Sequence, residues 1–283
     1  MKLSLSTASL YHYPLRWIFS MAAQLGFAGL ELVLGPEAIV RGPAYLNRLS
    51  EDYALPILTI HPPAFQFPGW GRLTCWPKLV DFAAAVDCPI MIIHPPRIKS
   101  FDSVWGRTYL DTLAISKEKA SRTGTEISLE NRACFRKDDR ELILNDGLSL
   151  RRFAEKHDLS LTLDTSHVGS SDETLMAMYR AFRGRLSNVH VSDERQLPRF
   201  LDKPYLYTHF KQHQMPGHGI LPLTHFLAQL TQDGYRGPVT LEVSPIPLRA
   251  WWPPCAKRRL AQALAFTKEG LDLFNQPRSL NQS

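Results

Sequence analysis

The chain has 283 residues, with 33 Lys+Arg against 27 Asp+Glu, a net charge of +6, and 44% hydrophobic residues. This composition is typical of a globular protein. Since the sequence has no apolar run near the ~20 residues that a membrane helix needs, it excludes a disordered chain and a membrane-spanning protein. The N-terminal sequence MKLSLSTASLYHYPLRW carries Ser and Thr where a signal peptide needs an apolar stretch, so we expect a cytoplasmic protein.

Short apolar, β-branched runs recur along the whole chain, and each is followed by a longer stretch with helical periodicity. Eight such runs begin near Leu3, Leu30, Ile57, Ile90, Glu126, Leu159, Ser187 and Val239. Successive runs begin about 34 residues apart, which matches a βαβ unit of about 30 residues or more. The pattern predicts the α/β fold class and a single (β/α)8 TIM barrel.

The helices predicted between the strands include residues 15–25, 76–86, 148–157 and 223–233, and a final helix is predicted over residues 256–274. No linker, low-complexity segment or charge block divides the chain. We therefore expect one barrel domain over residues 1–274, with its site at the C-terminal face of the strands, and a polar tail over residues 275–283 that frays. The four cysteines are too far apart for a zinc knuckle or a redox pair, and we expect ordinary thiols.

Polar side chains stand at the ends of six predicted strands, where folding alone would place Val, Ile or a loop residue. Strand ends converge on one face of a barrel, so these side chains are expected to share a site. Buried carboxylates are costly unless a cation compensates them, and a mixed set of imidazoles and carboxylates suits Zn, Mn, Co or Fe. The residues are His61, His94, Glu130 followed by Asn131, Asp164, His190 and Glu242. Taken singly, each histidine fits a hydrogen-bonded rim residue, and each glutamate fits a structural ion pair.

Four sequence runs, LTLDTSHVGS, NVHVSDE, HQMPGHGILP and GYRGPVTLEVS, resemble the xylose isomerase-like TIM-barrel superfamily. That superfamily includes sugar isomerases and epimerases, inosose-processing enzymes and endonuclease IV. The resemblance extends from LSLSTASL to the last predicted helix. It implies the barrel fold, a divalent metal site and an enzyme.

In the epimerase-type members, one divalent metal is bound by residues matching Glu130, Asp164, His190 and Glu242. The two glutamates also exchange the proton on the carbon next to a carbonyl, one from each face, while the metal polarises that carbonyl. The resemblance therefore favours a metal-dependent isomerase or epimerase acting on a sugar, polyol or related keto compound. Its partner is then a small molecule, with no membrane contact, and a homo-oligomer is left open.

The alternative is an endonuclease IV-like, zinc-dependent phosphodiesterase acting on abasic DNA, and nucleic acid is a partner only in this case. His61 and His94 match the histidines that, with Glu130, hold one of the three zinc ions of that enzyme. A third hypothesis, a degenerate barrel kept as a binding protein, is disfavoured because all four shared ligands are present.

His167 and His213 match two ligands of the third zinc of endonuclease IV. The carboxylate that the family places two residues before the second of these histidines is Lys211 here, and an ammonium group cannot ligate a metal ion. Epimerase-type members use such positions to contact substrate. We therefore assign His167, His213 and Lys211 to substrate binding, and a solvated loop lysine is the alternative for Lys211. Asn131, beside Glu130, and Glu31, which resembles a family position near the pocket, are assigned to substrate binding as well, with a structural ion pair as the alternative for Glu31. Asp193 is assigned to orienting a metal ligand, and a structural strand-end role is the alternative.

Overall fold

The computed structural model describes residues 1–63, 67–71, 75–198, 200 and 202–273. Eight parallel strands form a closed barrel in chain order, and the last strand pairs with the first. The prediction of a (β/α)8 TIM barrel is confirmed. The strands are β1 (Lys2–Ser6), β2 (Gly29–Val33), β3 (Ile57–His61), β4 (Ile90–Ile93), β5 (Glu126–Glu130), β6 (Ser160–Asp164), β7 (Leu186–Val191) and β8 (Pro238–Leu241).

One main helix follows each strand and covers the outside of the barrel. These helices are α1 (Leu15–Leu25), α2 (Pro36–Tyr53), α3 (Trp76–Ala85), α4 (Val104–Thr123), α5 (Gly147–His157), α7 (Leu175–Phe182), α9 (Leu223–Gln232) and α11 (Pro253–Asp272). Three shorter helices lie in the loops after β6, β7 and β8, namely α6 (Thr165–Gly169), α8 (Tyr207–Phe210) and α10 (Pro245–Leu248). The start predicted for the last helix, residue 256, was late, because Pro253 and Pro254 occupy its first turn, where a missing N–H costs nothing.

Alternation along the strands decides which side chains face the barrel interior. In β1, Leu3 and Leu5 belong to the hydrophobic core, while the Oγ of Ser4 lies 2.7 Å from Oγ1 of Thr240 on β8. Successive side chains of a strand point to opposite faces, so residues two apart share a face. The buried Thr162 therefore shares the interior with Asp164, two residues further along β6. The same alternation applies to each strand, so the inward-facing residues at the strand ends lie together at the C-terminal end of the barrel.

The turn that ends α1 needs a glycine. Gly26 has φ 79° and ψ 33°, and its N–H caps the helix on the carbonyls of Ala22 and Ala23. This left-handed conformation favours glycine, and the predicted helix end at residue 25 is confirmed.

Among the residues described, no helix has both the length and the apolar content that crossing a bilayer requires. The predicted polar tail, residues 275–283, lies outside the described residues.

Candidate metal centre

Four side chains from four strands meet at the C-terminal end of the barrel. Glu130, Asp164, His190 and Glu242, here named the four-residue cluster, each offer one ligand atom, and these atoms all lie within 4.8 Å of one another. Nδ1 of His190 lies 2.8 Å from Oε2 of Glu242, 3.3 Å from Oε1 of Glu130 and 3.7 Å from Oδ2 of Asp164. Glu242 follows the last residue of β8 directly, and the other three residues lie within their strands.

The donor atoms of this cluster fit a divalent metal ion. Nδ1 of His190, Oε2 of Glu130 and Oδ2 of Asp164 are buried close to charged neighbours, but none of their contacts with the described residues has hydrogen-bond geometry. An unsatisfied buried polar atom costs about 1–3 kcal/mol, and three carboxylates in one buried cluster repel one another. A cation bound between them would remove both penalties, and one imidazole with three carboxylates is a set that Zn, Mn, Fe and Co accept.

The charges of the cluster are mutually dependent. Burial opposes ionisation of Glu130, but the charges of His190 and His94 hold its pKa well below its usual value. Burial also opposes protonation of His190, but the carboxylates of Glu31 and Glu242 hold its pKa well above its usual value. Without a metal, His190 is therefore an imidazolium among carboxylates. A metal that binds at Nδ1 must displace this proton, so metal affinity is expected to rise with pH.

Two neighbours fix the orientation of His190. Its Nε2 lies 2.7 Å from Oε2 of Glu31, and Oγ1 of Thr59 donates to the same oxygen over 2.9 Å. Glu31 and Thr59 are register partners on β2 and β3, so the sheet itself places them side by side. This is the carboxylate–histidine arrangement that usually supports a metal ligand, and it leaves Nδ1 facing the four-residue cluster.

Asp164 is held through one of its two oxygens. Its Oδ1 accepts from the backbone N–H groups of Ser166 and His167 at 2.7 and 3.0 Å and so caps α6. Oδ2 remains directed to the cluster. Asn131, which the sequence assigned to substrate binding, is buried, and its side chain bonds the backbone N–H and carbonyl of Asp164 at 2.7 and 3.0 Å.

Two further clusters flank the first. The ligand atoms of His61, His94 and Glu130 also lie within 4.8 Å of one another, with the Nε2 atoms 3.5 and 3.1 Å from Oε2 of Glu130. Asp164, His167 and His213 form a third such group. The structure therefore brings both pairs of sequence-predicted histidines to the edge of the four-residue cluster.

His167 bridges these groups. Its Nδ1 lies 2.9 Å from the carbonyl oxygen of Asn131 and 3.3 Å from Oε1 of Glu130. Burial opposes its protonation, but the carboxylate of Asp164 and that of Glu130 raise the pKa of His167 to about 9. His213 has φ 49°, a left-handed conformation that a residue with a Cβ rarely adopts, and its Nδ1 lies 3.2 Å from the carbonyl oxygen of Glu242.

Lys211 and Asp193 lie beside the clusters with other partners. Nζ of Lys211 is 3.1 Å from Oε1 of the buried Glu194 and 4.8 Å from the centroid of the Tyr207 ring, a cation–π contact. The carboxylate of Asp193 accepts from the backbone N–H groups of Gly217, Gly219 and Leu221 at 2.9–3.1 Å. Among the described residues, Asp193 makes no hydrogen bond to His190, so its contacts are those of a loop anchor.

A cavity of about 800 Å³ opens beside the clusters, between the loops that follow β3, β4 and β5. Its wall includes His61, His94, His167, Trp76 and Arg132. The sequence analysis did not single out Arg132. A signal was available, since this basic residue follows Glu130 and Asn131 directly in the loop that begins at the mouth of the barrel.

Comparisons with known proteins identify the family of the chain. An uncharacterised protein of Mycobacterium tuberculosis is 26% identical over 95% of this chain and 98% of its own length. A D-psicose 3-epimerase of Clostridium cellulolyticum H10, solved with D-tagatose, superposes with a TM-score of 0.71 at 15% identity, covering 96% of this chain and 99% of that chain. An AP endonuclease, family 2, from Brucella melitensis superposes with a TM-score of 0.70 at 16% identity, covering 94% and 98%.

A third structure, the IolI protein with a bound zinc atom, superposes with a TM-score of 0.73 at 15% identity and covers 97% of this chain and 99% of that chain. At these identities the structural neighbours show the fold alone. The sequence model of the xylose isomerase-like TIM barrel matches residues 19–269, which is most of the chain. The chain therefore belongs to the xylose isomerase-like TIM-barrel family.

Proposed function

We propose that the protein is a metal-dependent isomerase or epimerase acting on a sugar, polyol or related keto compound. The observation that carries the proposal is the four-residue cluster, in which the carboxylates of Glu130 and Glu242 approach the same atom, Nδ1 of His190, within 3.3 and 2.8 Å. Several fold neighbours are sugar epimerases, including the D-psicose 3-epimerase, which was solved with D-tagatose. The metal is Zn, Mn, Co or Fe, and the substrate is a small molecule.

The two glutamates supply the acid and the base. One carboxylate, ionised, removes the proton from the carbon next to the substrate carbonyl, and the other carboxyl group returns a proton to that carbon. The divalent ion, when bound, polarises the carbonyl and so raises the acidity of that proton. His61, His94 and His167 line the adjoining cavity wall, where they can donate hydrogen bonds to substrate oxygens.

The test is the pair of variants Glu242→Gln and Glu269→Gln. Glu242→Gln removes a charged ligand and a proton-transfer group while keeping the side-chain shape, so we expect turnover to be abolished and metal binding weakened, with an unchanged circular dichroism spectrum. Glu269 is exposed on α11, and its variant should match the wild type in a screen of ketoses and inososes. Unchanged activity and metal content in Glu242→Gln would remove the site assignment.

The endonuclease-like phosphodiesterase is kept as a second candidate because two further clusters flank the first. The ion pair of Lys211 with Glu194 argues against the phosphodiesterase, because an ammonium group stands where endonuclease IV has a metal-binding carboxylate. Elemental mass spectrometry of protein purified without added metal or chelator separates the two. About one metal ion per chain supports the isomerase or epimerase, whereas two or three zinc ions favour the phosphodiesterase, which a cleavage assay on abasic DNA then tests.

We also propose that residues 1–274 act as one domain and that the protein works in the cytoplasm. Limited proteolysis should then leave one large protected fragment that lacks at most the C-terminal tail. Cell fractionation should recover the protein with cytoplasmic markers. Recovery of two protected fragments would contradict the single domain.

A further inference from the structure

The cavity beside the metal centre has an uneven distribution of charge. Its charged or titratable wall residues are three histidines and two arginines, Arg97 and Arg132, and no Asp or Glu is among the described residues that line it. Much of the remaining wall is apolar, including Pro62, Trp76 and Phe135. A pocket of this kind suits a short carbon chain that carries a negative charge better than it suits a neutral polyol, whose hydroxyl donors need acceptors.

The two arginines differ in their partners. Arg97 is exposed and forms an ion pair with Asp139. The other oxygen of Asp139 accepts from the backbone N–H groups of Phe135 and Arg136 at 2.8 and 3.0 Å, so both oxygens are occupied. Asp139 therefore balances the charge of Arg97, so Arg97 does not need an anionic ligand. Because both oxygens of Asp139 have partners, this carboxylate is not free to pair with a second arginine.

Arg132 has no such partner. It is half-buried, its Nη2 donates to the carbonyl oxygen of Pro96, and its Nη1 is buried with no acceptor among the described residues. Within the described ranges no carboxylate forms an ion pair with it. An arginine side chain keeps its proton in proteins at neutral pH, so Arg132 carries a positive charge. A partly desolvated arginine that forms no ion pair carries a charge that an anionic ligand would stabilise.

The position of Arg132 joins this charge to the metal centre. It follows Glu130 by two residues and shares the cavity wall with His94 and His167, which lie 3.1 and 3.3 Å from the carboxylate of Glu130. We propose that Arg132 binds the anionic group, a carboxylate or a phosphate, of a small substrate whose reacting carbons lie at the four-residue cluster. This inference rests on the proposed function and specifies its substrate class. A guanidinium can bind either oxyanion through two parallel hydrogen bonds.

The probes are glycerol, glycerate and glycerol 3-phosphate, which share a three-carbon skeleton and differ in the terminal group. Binding is measured by isothermal titration calorimetry on protein stripped of metal with EDTA, so that coordination to a metal does not contribute. We expect one of the two anions to bind at least about tenfold more tightly than glycerol, which is the size of one hydrogen bond to a charged group. The tighter anion identifies the carboxylate or the phosphate as the preferred group.

The matched variants are Arg132→Gln and Arg140→Gln. Arg132→Gln should lose the preference for the anion, whereas Arg140→Gln, on the same loop in an exposed ion pair with Asp172, should keep it. Equal anion affinity in the wild type and Arg132→Gln, or no preference for either anion in the wild type, would overturn the proposal. Should Arg132→Gln fail to fold, the folded Arg132→Lys variant replaces it. A loss of about tenfold in that variant supports the paired hydrogen bonds, and an unchanged affinity overturns them.

The two proposals fail separately. Arg132→Gln should bind metal like the wild type, because Arg132 contributes no ligand atom to the four-residue cluster. Glu242→Gln, stripped of metal, should keep the anion preference. If the epimerase hypothesis is wrong, the anion preference measured by calorimetry is unaffected. If the anion site is wrong, the weaker metal binding expected for Glu242→Gln is unaffected.

Discussion

One carboxylate connects the clusters at the end of the barrel. Oε2 of Glu130 faces His61 and His94 at 3.5 and 3.1 Å, while its Oε1 lies 3.3 Å from both His167 and His190. A change in the protonation or ligation of Glu130 therefore changes the electrostatic environment of four imidazoles. Substitution of this residue cannot report on one cluster alone, and for that reason we place the diagnostic change at Glu242.

Glu31 offers a test of ligand orientation that leaves the four ligand atoms in place. We expect Glu31→Gln to weaken metal binding by about 10- to 100-fold, because a neutral amide holds the ring of His190 less firmly and makes Nδ1 a weaker ligand. Competition with a fluorescent chelator measures the affinity. Glu118→Gln, an exposed residue paired with Arg122, serves as the control. Wild-type affinity in Glu31→Gln would show that the orientation of His190 does not depend on this contact.

Glu194 offers a test of charge burial. Burial raises its pKa, against the opposing effect of Lys211. A carboxyl group with a raised pKa in the folded state contributes stability that is present below its unfolded pKa, about 4.3, and is lost as pH rises through the folded value. Glu194→Gln removes this loss. The stability of the variant relative to the wild type should therefore rise with pH above about 4.3, as followed by urea unfolding of metal-free protein. A difference that is constant with pH would contradict the assignment.

At the scale of elements, the extension beyond β7 is organised by one side chain. Asp193 pairs with Gln214 through the backbone in both directions at 2.9 Å, and its carboxylate receives the N–H groups of Gly217, Gly219 and Leu221. Gly219 is required here, because a Cβ would lie 2.1 Å from the carbonyl oxygen of Glu194. This loop carries His213 to the edge of the four-residue cluster.

We expect Asp193→Ala to destabilise the protein by about 3 kcal/mol, because three part-buried N–H groups lose a charged acceptor at once. Urea unfolding at constant metal concentration measures the effect. The exposed carboxylate variant Asp111→Ala on α4 should change stability by less than about 0.5 kcal/mol. A loss in Asp193→Ala as small as that of the control would show that water replaces the carboxylate.

The sequence predicted the elements well and the contacts between them less well. Every strand start falls within one residue of its predicted position, because each buried strand is a short apolar run bounded by polar or turn residues. Helices α2, α4 and α7 were expected only as helical stretches between strands, without bounds. The helices α6, α8 and α10 were missed, since four or five residues show no period. The position of Arg132 directly after Glu130 and Asn131 was visible in the sequence, but its environment was not. Its lack of a counter-ion depends on where Asp139 and Arg97 lie in space, and a sequence read in order does not show that.

At the scale of the whole molecule, the four proposed metal ligands come from β5, β6, β7 and the residue after β8, so a bound metal would tie half of the barrel together. We expect addition of metal at about 100 times its dissociation constant to stabilise the EDTA-treated protein by about 2.7 kcal/mol. At an unfolding entropy of about 2.1 cal/mol/K per residue, that corresponds to a rise in Tm of about 4 to 5 °C. Calorimetry with and without added metal checks this, and Glu242→Gln should show a smaller rise. An equal Tm with and without metal would contradict a site built from four strands.

Closure of the barrel also has a consequence in time. Strand β1 pairs with β8, and the two partners Ser4 and Thr240 are separated by 236 residues of chain. At a synthesis rate of about 5–20 residues per second, β1 waits roughly 10 to 50 s on the ribosome before its second neighbour exists. During that interval both edges of the incomplete sheet present unpaired backbone groups to other chains. The yield of native protein is therefore expected to depend on translation speed and chaperone supply more than the closed, edgeless product would suggest.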